Sequence, residues 1–190
     1  MKQELDEQLC KNYPRMMVNR NKPMMETCMC WGFDCGDGWY NILNQLMGNI
    51  QHHIDWKRRQ RANALQFNRC LKRALNGDKA GLIWYNTYGE APTSHTYESV
   101  EREIERAEFR NVPEAVPQVT LDQVKEKFGT LRFYYTGGDE YISGLVSMAE
   151  AMSGCTCEEC GNPGKRNGGG WVRTMCEPCE EKRAEARSTY

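Results

Sequence analysis

The longest regular pattern of apolar and polar positions in this chain is helical, and it starts at Asp37. Apolar residues recur at the three- and four-residue spacing of one helix face. Asp37 is the expected N-cap, and Gly77 is the expected stop. The spacing therefore predicts a helix over 37–77, either continuous or divided near Gly48 or at 57–60. The residues on its apolar face are Trp39, Ile42, Leu43, Leu46, Ile50, Ile54, Leu65, Leu71 and Leu75.

A second pattern, the alternation typical of a strand, runs through 118–138. Leu131, Phe133 and Tyr135 alternate with other residues, which predicts a strand with one buried face. Gly129 marks a turn before this strand, and a shift of phase between Leu121 and Val124 predicts a bulge in the strand that precedes the turn. We therefore expect an antiparallel β-hairpin here.

Helical spacing returns after this hairpin, between an Asp139 N-cap and a stop at Gly154. Upstream, the aromatic segment 81–93 predicts a short strand or packed loop, with Trp84, Tyr85 and Tyr88 in the core. Prolines predict an extended connector at 112–119. The fold class is therefore α+β, with a long helix or helical pair and a small antiparallel hairpin sheet. The apolar face of the last helix consists of Ile142, Leu145, Val146, Ala149 and Met152.

Composition restricts the partners and the cellular compartment that we expect for this protein. The net charge is −1, so the whole molecule has no bulk attraction for nucleic acid or membranes. We find no apolar run long enough to cross a bilayer and no secretory signal, which predicts a cytoplasmic protein without a membrane partner. Because cytosolic thiols stay reduced, the ten cysteines favour metal or redox chemistry over disulfides.

Four of these cysteines form the strongest motif, Cys-x2-Cys-x15-Cys-x2-Cys, at 157, 160, 176 and 179. Two residues between cysteines let one tight turn direct both sulfurs at a single ion, and two such turns supply a tetrahedral set. A closed set of four thiolates leaves no position for substrate, so we expect a structural zinc. Iron–sulfur ligation and thioredoxin-like redox chemistry are less favoured, because their usual spacings and contexts differ. Cys155 is an alternative ligand to Cys157.

The residues around this motif predict a treble-clef-like finger. A flexible loop leads into a short strand with Trp171 and Val172, and a helix follows with Pro178 in its first turn. We expect 1–154 to form a helical and α+β main body, and 155–190 to form the zinc finger, packed on that body.

A weaker constellation lies near the other end of the chain. Cys28, Cys30 and Cys35 fall within eight residues, and with His52 they form a second candidate metal site. Asp34, Asp37 and His52 can also be cast as the site of a hydrolase or nuclease. His53 lies on the apolar stripe of the long helix and is read as a satisfied core residue.

The second half of the long helix is strongly basic, with seven cations and no acid between 57 and 73. Such a patch suits nucleic acid or an acidic partner, and the finger adds Lys165, Arg166 and Arg173 to it. The alternative is a solvated face, or one that packs beside the acidic segment 98–109. The seven residues are Lys57, Arg58, Arg59, Arg61, Arg69, Lys72 and Arg73.

Three blocks together resemble a family of small, largely uncharacterised proteins encoded by bacteriophages and prophages. They are "PMMETCMCWGFDCGDGWYNIL", "QVKEKFGTLRFYY" with "SMAEAMSG", and "CEECGNPGK" with the cysteine pair after it. The resemblance implies that Cys157, Cys160, Cys176 and Cys179 are the ligands. It also implies a non-enzymatic phage protein that binds a host macromolecule or signalling molecule, for host takeover or to inhibit a host defence system. The expected partner is a host protein or defence complex.

Overall fold

The computed structural model describes residues 1–168 and 171–188, which fold as an α+β protein. Its helices are α1 (Gln3–Asn12), α2 (Tyr40–Leu75), α3 (Ala80–Thr87), α4 (Ser94–Arg106), α5 (Glu140–Ser153) and α6 (Glu177–Ser188). Its strands are β1 (Phe33–Asp34), β2 (Thr120–Lys127), β3 (Thr130–Thr136), β4 (Lys165–Asn167) and β5 (Arg173–Met175). Among these helices, none combines the length and the apolar composition that a membrane-spanning segment requires.

The predicted long helix is continuous. One turn of 3-10 helix at Asp37–Trp39 leads into α2, which runs through both places where a break was possible. The first half of the predicted apolar stripe is buried up to Ile54. Beyond it the phase differs from the prediction, because Leu65 and Leu75 are exposed. The buried residues of this second half are Ala64, Phe67, Leu71 and Ala74.

The contacts divide the chain into two compact units, and the division falls inside α2. One unit combines Met1–Ile54 with Val116–Tyr190, and the other is Asp55–Ala115. The sequence analysis placed the boundary at Gly154. In the structure the finger belongs to the same unit as the N-terminal segment and the hairpin, and residues 55–115 form the other unit.

The first unit contains the predicted hairpin and one additional strand. β2 and β3 pair antiparallel, with the predicted bulge between Leu121 and Gln123. The turn residues Phe128 and Gly129 both have positive φ, as a tight two-residue hairpin turn requires. β1 pairs parallel to β2, with Phe33 opposite Val124, so the sheet has three strands in the order β1-β2-β3.

The main core lies between this sheet, α5 and the first half of α2. Asp139 caps α5 as predicted by accepting a hydrogen bond from the backbone N–H of Ile142. His53 is satisfied as expected, since its Nε2 lies 2.8 Å from Asp139 and its ring stacks on Tyr141. The largest fully buried side chains of this core include Trp39, Leu43, Met47, Ile50, Ile54, Leu121 and Leu131.

The second unit is helical throughout its regular structure. Segment 81–93, predicted as a strand or loop, instead contains α3, with Leu82 buried against Phe67 and Leu71. Tyr85 packs against this cluster as predicted. Trp84 and Tyr88 are exposed, so the prediction was wrong for these two residues. Segment 112–119 lies outside helices and strands, as the prolines predicted.

Candidate metal centre

The four motif cysteines come together in the finger. One sulfur from each of Cys157, Cys160, Cys176 and Cys179 lies within 4.8 Å of the others. Tetrahedral zinc with bonds of about 2.3 Å requires sulfurs about 3.8 Å apart. The Cys160 and Cys176 sulfurs are already 3.5 Å apart. The donor set and its spacing therefore fit a metal ion.

Two short turns present these sulfurs. In the first, the Gly161 N–H donates to the Cys157 carbonyl, and the Cys157 N–H donates to the Asn162 carbonyl. Gly161 has a φ of 78°, which suits a glycine in this tight turn. In the second turn, the N–H groups of Cys179 and Glu180 donate to the Cys176 carbonyl, so α6 begins between the last two ligands.

The electrostatics of the cluster favour a cation. The pKa of the Cys160 thiol is lowered to about 7, mainly because the Asn162 backbone hydrogen-bonds to its sulfur. The pKa of Cys179 is raised, chiefly by its hydrogen bond to Cys176. Cys160 thus forms a thiolate easily, whereas Cys179 keeps its proton. A cation bound at the cluster would replace the remaining protons and neutralise the thiolates.

The finger is bonded to the main body through the first cysteine turn. The Gly38 N–H donates to the Glu158 carbonyl at 2.7 Å, and the Gly36 N–H donates to the Glu158 carboxylate at 3.0 Å. The Trp39 indole N–H donates to the carbonyl of Thr156 at 2.8 Å. Segment 35–39 contains Cys35 of the second candidate metal site and Asp37 of the candidate hydrolytic site. It is where the finger docks.

A second set of contacts joins the finger to the hairpin. The buried Thr174 hydroxyl donates to the Gly129 carbonyl at 2.5 Å, and the Thr174 carbonyl accepts from the Glu158 N–H. The buried Ser153 hydroxyl, at the end of α5 just before the finger, accepts from the N–H of Leu131. The three sequence blocks quoted in the sequence analysis thus meet around the finger. Sequence reasoning missed this role, although glycines at 36, 38 and 129 were a signal of close backbone approach.

Glu158 is buried between the cysteine turn and this loop. Burial raises the pKa of its carboxyl, although the hydrogen bond from Gly36 opposes that change. One of its carboxylate oxygens has no hydrogen-bond partner among the residues that the structure describes. Glu158 therefore contributes to docking through its other carboxylate oxygen and its backbone carbonyl.

The second candidate metal site is not assembled. Within 1–168 and 171–188, the structure gathers a single group of potential ligands, and Cys28, Cys30, Cys35 and His52 are outside it. Burial raises the pKa of Cys35 to about 12, so this residue is a thiol in the core. Cys28 and His52 are exposed, and the Cys30 thiol donates to the Thr27 carbonyl. Cys155, the alternative ligand, also lies outside the cluster.

The hydrolytic candidates also have other roles. Asp37 pairs with Lys2, accepting from its backbone N–H at 2.7 Å and lying 3.1 Å from its ammonium. Burial acts to raise the pKa of Asp37, but the bonds and charge of Lys2 outweigh it and hold the pKa below its usual value. Asp34 and His52 are exposed on different elements.

The basic segment is partly used within its own unit. Arg58 pairs with Asp55, Arg73 pairs with Asp78, and Arg61 donates to the Pro113 carbonyl at 2.7 Å. Lys57 lies over the Trp56 ring. Helix α4 of the acidic segment shares a core with this part of α2 through Val100. Within segment 57–73, the exposed cations for which the structure describes no partner are Arg59, Arg69 and Lys72.

No family model matches this chain, and no curated protein or solved structure matches it at a significant level. The four-cysteine site and the surfaces around it are therefore the features that bear on its chemistry.

Proposed function

We propose that this protein is a non-enzymatic, zinc-stabilised binding protein. The observation that carries the proposal is the closed set of four sulfurs in the docked finger. Zinc suits four thiolates, and four protein ligands leave no open position for a reacting water or substrate. Bound zinc would supply structural cross-linking, with a contribution to folding on the order of 10 kcal/mol.

The biological role follows from the resemblance to phage proteins. We infer a phage accessory protein that acts in the host cytoplasm on a host macromolecule or signalling molecule. Takeover of a host machine, or inhibition of a host defence, fits a small protein that works by occupying its target.

Zinc content is the first test. Native mass spectrometry of the purified chain should find one zinc ion, and a chelator should remove it with partial unfolding of the finger. The matched pair of variants is Cys157→Ser, which removes a ligand, and Cys155→Ser, which removes an exposed thiol outside the cluster. Only the first should lose zinc. A chain that folds identically without metal would contradict the proposal.

Binding is tested separately, by affinity capture from host cells at physiological salt. The zinc-loaded protein should retain a partner in stoichiometric amount, and the triple variant D34A/D37A/H52A should retain it equally. Recovery of background proteins alone would count against a host macromolecule. A hydrolytic activity that the unaltered chain has and the triple variant lacks would identify the protein as an enzyme and contradict the proposal.

A further inference from the structure

The finger contains a pocket that is separate from the metal centre. It lies between the β4–β5 hairpin and α6, and its volume is about 170 Å³. Both apolar and polar side chains line it. We call it the finger pocket, and its lining includes Trp171, Arg173, Met175, Glu180, Arg183 and Arg187.

The charge of α6 is divided between its faces. Residues 180, 183, 184 and 187 follow helical spacing and face the pocket, while Glu177, Glu181 and Glu185 fall at other positions. The acid at 180 is engaged, because its carboxylate accepts a hydrogen bond from the Asn167 amide at 2.6 Å. The pocket face of α6 therefore presents two arginines in a protein whose net charge is −1.

These cations are available for a ligand. Arg183 and Arg187 form no ion pair within the ranges that the structure describes. Arg173 has one distant ion pair, 3.8 Å to Glu159, and its buried Nε has no hydrogen-bond partner there. Guanidinium groups bind phosphate oxygens in pairs and also stack on flat rings. The pocket thus has the donors for a phosphorylated ligand.

The pocket also has an exposed aromatic wall. The Trp171 side chain is 71% exposed, although Met175 beside it is buried. An exposed indole next to arginines is suited to stacking on a nucleobase, because every base offers a flat face. A pocket of this size admits a single unpaired base, whereas a duplex keeps its bases stacked inside.

We propose that the finger pocket binds a nucleoside phosphate, with the base on Trp171 and the phosphate on Arg183 and Arg187. This inference rests on the proposed function as a binding protein and names its ligand. A free nucleotide and a nucleotide within a single strand have the same chemistry. A phosphorylated peptide is less favoured, since it needs the arginines but not the exposed indole.

The test uses the zinc-loaded full chain and a short fluorescein-labelled oligo(dU) or oligo(dA), followed by fluorescence anisotropy at about 50 mM salt. Trp171→Ala should weaken binding about tenfold or more. The double variant R183A/R187A should weaken it similarly and lower the slope of log K against log salt by about 1.4. Trp31→Ala, at an indole that is also 71% exposed, and R59A/R69A on α2 are the matched controls.

Competition identifies the source of the nucleotide. Displacement by the mononucleotide at similar concentration indicates a free nucleotide, and displacement by the oligonucleotide alone indicates a single strand. Both results support a nucleotide site in the finger pocket if Trp171→Ala weakens the binding as expected. Absence of binding to either probe overturns the inference, as does a loss confined to R59A/R69A. Tighter binding of a phosphopeptide that is indifferent to Trp171 also overturns it.

The same samples separate this inference from the proposed function. If they hold one zinc ion and retain a captured host protein but bind no nucleotide, the finger pocket proposal fails alone. If chelation leaves the fold unchanged, the zinc-stabilised binding protein is contradicted whatever the nucleotide result.

Discussion

Gly38 is constrained because a neighbouring backbone occupies the space of a side chain. A Cβ at this position would lie 2.1 Å from the carbonyl oxygen of Cys157 and 2.4 Å from the N–H of Gly161. Gly36 is similar, with 2.3 Å to the carbonyl oxygen of Glu158. The "CGDG" sequence therefore reflects close packing of two backbones. Sequence analysis could identify it as unusual but could not identify the partner, which lies more than a hundred residues away.

Gly38→Ala should consequently disrupt finger docking. We expect a loss of about 2–3 kcal/mol in unfolding free energy, because the backbone atoms it would contact cannot rotate away. Gly144→Ala is the matched control, since it lies in α5 with nothing within 4 Å of an added Cβ. That change should stabilise by about 0.5–1 kcal/mol. Chemical denaturation measures both, and equal effects would refute the docking role.

Individual elements were predictable where the pattern was long or the cap was distinct. The long helix, the bulged hairpin and the helix capped by Asp139 all follow from periodicity and turn residues, whereas the continuity of the long helix was left open. β1 was missed because it has two residues and its parallel partner is about ninety positions later in the chain. Segment 80–87 is rich in aromatic and β-branched residues, yet it is helical because Leu82 packs against α2. The four metal ligands needed only their spacing, whereas the finger pocket required the folded arrangement.

Arg110 links elements of the 55–115 unit. Its guanidinium lies 3.8 Å from the centroid of the Phe67 ring and donates to the Tyr85 hydroxyl at 2.8 Å. Its backbone exchanges two hydrogen bonds with the Asn68 amide. The connector after α4 is thereby held to α2, and the residue bridges two helices by side chain and main chain.

Arg110→Ala should loosen this unit by about 1 kcal/mol, since an exposed cation–π contact and one hydrogen bond are lost. Arg110→Lys should restore little, because an ammonium cannot lie flat on the ring. Hydrogen exchange should become faster in α3 and α4. Arg102→Ala, at an exposed arginine of α4, provides the control. If it accelerates exchange as much as Arg110→Ala does, the proposed bridging role of Arg110 is contradicted.

At the scale of the whole molecule, a metal ion bound by the four cysteines would couple the fold to pH. Ligation would hold the cysteines as thiolates, with pKa values below those of the unfolded chain. The stabilisation is therefore present at neutral pH and is lost as pH falls. In the metal-free cluster the pKa of Cys160 is about 7, so its proton adds to the competition with the ion only below that pH.

Zinc release into a colorimetric chelator, followed from pH 8 downward, measures this dependence. We expect the apparent affinity to fall about tenfold per pH unit for each thiol that regains its proton. Cys155→Ser should leave the profile unchanged, because its sulfur is outside the cluster. A profile that is flat through pH 7 would show that thiolates do not hold the ion.

The bond between Gly36 and Glu158 joins positions 122 residues apart. A ribosome adding about 5–20 residues per second leaves the nascent N-terminal loop waiting on the order of ten seconds for its counterpart. During that interval its amides have only water as partners. Completion of this loop thus depends on a segment that is synthesised 122 residues later, and on whether an ion is at hand when that segment emerges.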